Sequence, residues 1–271
     1  MKIFAIRNEA DSDRTAGFLF YYEKPGRFYI ELPENIDEWE APLLLSSFIK
    51  RGRYTVGSHW SKIWVQQRIV PSDRQNLPSV LKDNGLGTYD EFGLLMLSMG
   101  RCAQDDYYLA PVSFEELPEE IQKRRSRGIE DVVPLENNKL LVFFSDGIIK
   151  ICDINRIVDS KAPLRVLLDI YPQALEKVRL QVGGYGVYWD ENMVISDSDL
   201  YESGKTVPLS KDDFLTFVSK RVVNTSEAAE ILGCSRQNIE DLIKRGKLKA
   251  IKESGKNKLF LKSDIEKREW K

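Results

Sequence analysis

The spacing of apolar and polar side chains changes along the chain, and each change predicts a different kind of element. Near the front, residues 17–22 and 27–32 are dense aromatic and aliphatic runs that predict a first β-hairpin, with residues 42–46 as a further strand. Helical spacing follows over 60–67, 76–84 and 89–99. In the middle, residues 139–153 alternate into two strands around Ser145, Asp146 and Gly147, where Asp-Gly tolerates the positive φ of a tight turn. A second hairpin joins 178–182 to 187–189 across Gly183, Gly184, Tyr185 and Gly186, and 195–201 ends in an acidic helical piece. This glycine cluster lacks the Gly-Lys-Ser/Thr ending of a phosphate loop and reads as a turn.

The pattern is sharpest at the C-terminal end. Thr225 stands where a helix cap belongs, and Ala228, Ala229, Ile231 and Leu232 form one apolar stripe that Gly233 ends. Ser235 then caps a second helix whose Ile239, Leu242 and Ile243 face inward, with Gly246 as its stop. Two short capped helices joined by so tight a turn make a helix-turn-helix. Residues 248–252 and 259–262 read as strands of a hairpin, or wing, around the lysine-rich stretch 253–258. Ser263 and Glu266 have capping-box spacing for a closing helix.

Residues 219–271 closely resemble the excisionase-like, MerR-related winged helix-turn-helix family. The likeness is carried by Thr225, Ala228, Ala229, Leu232, Gly233, Ser235, Ile239, Ile243, Gly246 and Leu248, and by Ser263, Asp264 and Ile265. It implies double-stranded DNA as a partner, with the second helix entering the major groove by its N-terminal residues. Arg236, Gln237 and Asn238 sit there and are the candidates for base reading, because arginine pairs bidentately with guanine, and Gln or Asn with adenine. Lys244, Arg245, Lys256 and Lys258 are candidates for neutralising phosphate or probing the adjacent minor groove.

Charge supports this reading through its distribution rather than its total. Residues 219–271 hold fourteen Lys/Arg against eight Asp/Glu, a local +6 in a chain of net charge −2, so the rest carries −8. The remaining 218 residues exceed one ordinary small domain, and a polar basic stretch at 122–128 suggests a boundary. The expected architecture is α+β and multidomain. Two small mixed α+β domains, 1–128 and 129–204, precede a connector at 205–218, helical from 210 to 220, and the winged helix-turn-helix at 219–271.

Two further resemblances are weaker in what they imply. Leu140, Leu141, Val142, Phe144, Asp146, Gly147, Lys150 and Asp153, with the later Trp189-Asp190 and Leu200-Tyr201, resemble a small bacterial family of unknown function often joined to helix-turn-helix domains. Residues 64–77, 89–95 and 100–106 are distantly similar to the N-terminal subdomain of HipA-type toxin kinases. Pro71-Ser72 stands where that family has Pro-Glu, and the kinase body is missing, so a fold for protein contact is all that carries over.

Catalytic chemistry has little to stand on. The sole histidine, His59, matches no catalytic signature, and an enzyme would have to be built on it with Arg68, Asp73, Arg74, Asp105 and Asp106, which solvated faces explain equally well. Cys102, Cys152 and Cys234 lie too far apart for a metal-binding pair and read as buried small hydrophobes. No enzyme activity, metal or cofactor is expected. No apolar run is long enough to span a membrane or form a signal-peptide core, which points to the cytoplasm. One reading is a sequence-specific DNA-binding regulator, of a toxin–antitoxin or mobile-element kind, whose front domains form a homodimer or sense a protein partner. The other is an interaction protein whose front domains engage a partner while the basic module only tethers it to DNA.

Overall fold

The computed structural model describes residues 1–190, 192–206, 208, 211–255 and 257–270. It divides into two compact units, 1–125 and 126–271, and both mix helices with antiparallel strands, giving an α+β multidomain protein.

In the first unit, β1 (Lys2–Asn8), β2 (Asp11–Tyr22), β3 (Arg27–Glu31), β4 (Thr55–Val56) and β5 (Tyr107–Pro111) form an antiparallel sheet of order β4-β3-β2-β1-β5. Side chains alternate across it. Phe4, Ile6, Leu19, Tyr21, Phe28 and Ile30 pack with Leu45 of α1 (Leu43–Ile49), Trp64 and Val65 of α2 (Ser58–Gln66), and Leu95 of α4 (Glu91–Leu97). A further helix, α3 (Leu77–Asp83), lies between α2 and α4 in the chain. Ala5, Phe18, Phe20, Tyr29 and Glu31, which alternate with those residues, are buried as well. The Glu31 carboxylate accepts from Arg124 at 3.1 Å and the Thr55 hydroxyl at 2.9 Å, and Arg125 lies at 3.5 Å. Both arginines come from α5 (Glu119–Ser126), so most of the basic stretch 122–128 that suggested a boundary is the end of a helix.

The strand expected at 42–46 is instead the start of α1. Pro42 takes the N-cap position with φ −50°, and Leu45, Phe48 and Ile49 meet the core at helical spacing. Short apolar runs leave strand and helix undistinguished by period. β1 and β5 were not foreseen. β1 is central, and Ile3 to Ile6 are all buried, so it shows no alternation to find.

The second unit begins with β6 (Ile129–Leu135), β7 (Lys139–Phe144) and β8 (Ile149–Asp153), which β12 (Lys205–Thr206) extends to the order β12-β8-β7-β6. Between β8 and β12 run α6 (Ile154–Ile157), α7 (Pro163–Ile170), β9 (Arg179–Leu180), β10 (Gly186–Asp190), β11 (Met193–Ser196) and α8 (Asp197–Ser203), with β11-β10-β9 as a second sheet. Leu140, Val142, Phe144, Ile154, Leu164, Leu168, Val187, Ile195 and Leu200 share one core. The turn before β10 needs its glycines. Gly183 and Gly184 both have φ +73°, and a Cβ on Gly186 would lie 2.4 Å from the Ile195 carbonyl oxygen.

The chain continues through α9 (Lys211–Arg221), β13 (Val222–Asn224), α10 (Thr225–Ile231), α11 (Arg236–Lys244), β14 (Lys252–Ser254), β15 (Asn257–Leu261) and α12 (Lys262–Glu266). A third sheet, β13-β15-β14, and the helices enclose their own core of Val223, Ala228, Ala229, Ile239, Leu248, Phe260 and Ile265.

Candidate nucleic-acid interface

α10 and α11 are joined by four residues, and local chemistry sets both ends of that turn. Asn224 is extended (φ −87°, ψ 176°), and its side chain accepts from the amides of Ser226 and Glu227, while the Glu227 carboxylate accepts from the Asn224 amide. This complete capping box replaces the cap expected at Thr225, which is already the first helical residue and whose Oγ1 is buried without a hydrogen-bond partner. Gly233, at φ +58°, ends α10. Ser235 caps α11 as expected, its Oγ accepting from the Asn238 amide at 3.2 Å, and Gly246 (φ +64°) follows the helix.

Anchoring and display fall on opposite sides of α11. Ile239 is fully buried against the module's core, whereas Arg236, Gln237 and Asn238, all in the first turn, are exposed. Their exposure leaves a cation and two amide side chains around the positive end of the helix dipole, chemistry suited to a polyanion bearing hydrogen-bonding edges. Lys244 and Arg245 are exposed at the other end.

The hairpin expected after α11 is present but shifted. Residues 248–251 are not strand: Leu248 enters the core and Ala250 packs beside it, and β14 starts only at Lys252. The closing helix starts at Lys262, preceded by Leu261 without a side-chain cap, and Ser263 is buried rather than capping. Lys258 sits in the hairpin but forms an ion pair with Glu240 of α11, and its side chain is only 16% exposed. Lys256 lies outside the described residues. Lys247, Lys249 and Lys252 were not singled out in the sequence, yet they are exposed beside these elements and form no ion pair among the described residues. Their sequence signal was the dense lysine spacing between 244 and 258.

The module is fixed to the preceding sheet of its own unit. Arg221, at the end of α9, contacts Asp131 of β6 at 2.6 Å and Glu266 of α12 at 3.0 Å. Desolvation pushes the Asp131 carboxyl above its ordinary range despite the adjacent guanidinium, while its two carboxylate neighbours hold Arg221 still more firmly protonated against burial. Lys220 binds Glu176 at 2.6 Å, Lys267 lies 3.7 Å from Glu130, and Phe217 packs on Phe143 with ring centroids 4.9 Å apart.

Of the residues considered for catalysis only Arg68 and Asp105 are bonded to each other among the described residues. His59 is exposed and set edge-on to Trp60. Arg68 is buried, stacked 3.8 Å over Trp64 and bonded to Asp105 at 2.5 Å, whereas Asp73 and Arg74 are exposed. No group of three or more His, Cys, Asp or Glu arranged to hold a metal occurs among the described residues. Cys152 alone of the three cysteines is buried, and desolvation pushes its thiol up to about 12. Cys102 and Cys234 are partly exposed, which corrects their reading as buried hydrophobes. No described helix is long and apolar enough to cross a membrane.

Comparison with known families supports two parts of this picture. A helix-turn-helix domain family matches residues 222–268, spanning β13 through α12. A family described as a protein of unknown function, DUF2442, matches residues 129–206. Neither match reaches residues 1–128, and the likeness of that region to HipA-type kinases gains no support. No curated protein and no solved structure matches the chain. The helix-turn-helix match points to DNA binding.

Proposed function

We propose that this protein binds DNA sequence-specifically and regulates transcription, reading bases with Arg236, Gln237 and Asn238. The observation that carries this is the two-sided α11: a helix held by fully buried Ile239 that exposes three polar side chains at its N-terminal end. Lys244 and Arg245 neutralise phosphates, and the β14–β15 hairpin acts as a wing in which Lys256 serves the same purpose. Lys258 contributes there once released from Glu240. A single module offers few base contacts, so the protein acts as a homodimer paired through its acidic residues 1–204, each copy reading one half-site.

Fluorescence anisotropy on labelled duplexes tests these roles. Replacing Lys244 or Arg245 with Ala is expected to weaken binding to all duplexes alike and to lower the salt dependence by about one unit per contact, since phosphate neutralisation releases counterions. Replacing Gln237 or Asn238 should instead weaken a preferred duplex more than a scrambled one. Equal losses on every duplex from both groups would leave only nonspecific electrostatics and favour the tethering role.

A further inference from the structure

Glu240 stands four residues after Arg236 in α11, the spacing that puts two side chains on one face of a helix, and Lys244 stands four residues further on. A carboxylate thus interrupts a basic strip on the helix that carries the candidate base-reading residues. Beside DNA phosphates a negative charge is repelled unless a donor answers it. In this structure the donor is Lys258 of β15, whose ammonium meets Glu240 Oε2, while Oε1 takes part in no hydrogen bond among the described residues. The Glu240 side chain is 35% exposed and so remains open to a further donor. Arg236, on the same strip, forms no ion pair among the described residues.

We propose that Glu240 is a specificity-determining residue that selects cytosine at a base pair close to the one Arg236 reads, an inference that rests on the DNA-binding function above. A carboxylate only accepts hydrogen bonds. In the major groove cytosine offers the N4 amino donor, adenine sets its N6 donor beside the acceptor N7, and guanine and thymine present acceptors that repel a carboxylate. Four residues advance about 6 Å along a helix, so Glu240 meets a different base pair from Arg236. On cytosine the amino group takes the place of the Lys258 ammonium, which turns to a phosphate. Opposite guanine or thymine the carboxylate keeps Lys258, and that phosphate contact is not made. The exposed pair costs little to open, so one exchange couples a contact that reads sequence to one that does not.

The test is fluorescence anisotropy of the full-length protein on labelled duplexes carrying the sequence it enriches from random DNA, with each base pair changed in turn. The expected result is a pair at which cytosine is preferred to guanine by about fivefold or more, distinct from the pair at which Arg236→Ala loses its preference. Glu240→Ala should abolish the cytosine preference and leave the one due to Arg236. Glu240→Gln should move it to adenine, which Gln pairs bidentately, a change that loss of a merely structural contact does not produce. Lys258→Gln should lower the salt dependence by about one unit on the cytosine duplex and leave it unchanged on the guanine one. Preference kept at every base pair by Glu240→Ala, or equal losses on all duplexes from both Glu240 variants, would overturn the proposal while leaving sequence-specific binding intact. An equal drop on both duplexes from Lys258→Gln would overturn the coupling. Enrichment of no sequence by the unaltered protein would remove sequence-specific binding itself, and this inference with it.

Discussion

Replacing Arg221 with Met is expected to destabilise the second unit in a pH-dependent way, and the size of the effect follows from what the guanidinium touches. Asp131 has a side chain only 6% exposed. Its Oδ1 faces Arg221 and accepts from the Val132 amide at 2.8 Å, while Oδ2 has no hydrogen-bond partner. Without Arg221, a carboxylate would remain buried with a single backbone donor. Breaking a buried pair from one side costs about 3–5 kcal/mol, whereas removing both charges is often close to neutral. At neutral pH, Arg221→Met should therefore lose several kcal/mol, and adding Asp131→Asn should restore most of it. Burial holds the folded Asp131 pKa above its ordinary value of 3.8. Between 3.8 and that raised value the folded chain binds more protons than the unfolded one, so stability falls as pH rises. Losing Arg221, whose charge and hydrogen bond lower the Asp131 pKa, raises it further in the variant, so the deficit should shrink on acidification between the variant's value and the wild type's, by at most about 1.4 kcal/mol per pH unit. Urea unfolding at a series of pH values measures this. A loss below about 1 kcal/mol with no pH dependence would refute the reasoning, as would a double variant no more stable than Arg221→Met.

Asn224→Ala should cost about 0.5–2 kcal/mol through the lost capping box, while Thr225→Val should be neutral or stabilising because the Thr225 hydroxyl is buried and bonded to nothing; thermal melts distinguish the two. Gly186→Ala sets a methyl 2.4 Å from the Ile195 carbonyl oxygen and should destabilise by at least about 1–3 kcal/mol, readable in the same melts. Desolvation pushes the Cys152 thiol up to about 12, so at pH 8 it should resist a thiol reagent in the folded protein while Cys102 and Cys234 react; rapid labelling of Cys152 would contradict its burial.

Legibility in the sequence followed the locality of the forces involved. Hairpins were readable where a turn demands particular residues, as at Asp146-Gly147 and Gly183-Gly184, because backbone conformation there is decided within a few positions. The tight turn from Gly233 to Ser235 was readable for the same reason. The start of α10 was misplaced by one residue because Asn224, Thr225 and Ser226 all carry capping chemistry, and only the backbone decides which of them lies outside the helix. β1 was missed because a central strand buried on both faces has no polar alternation, and α1 was misread because three leucines after a proline suit either element. Arg236, Gln237 and Asn238 were placed by the Ser235 cap, which sets them in the first turn of α11, together with the resemblance to the helix-turn-helix family. The Lys258–Glu240 pair and the Arg221 network depend on residues between eighteen and ninety apart in sequence, and no local pattern announces them.

Selection of bound fragments from random duplex DNA, carried out in parallel with the full-length protein and its Arg236→Ala variant, tests the central claim most directly. The account predicts that the full-length protein enriches a defined sequence. The variant should bind that sequence more weakly by about 1–3 kcal/mol and lose its preference at one base pair. Failure of the full-length protein to enrich any sequence, or enrichment of the same sequence with undiminished preference by Arg236→Ala, would contradict it.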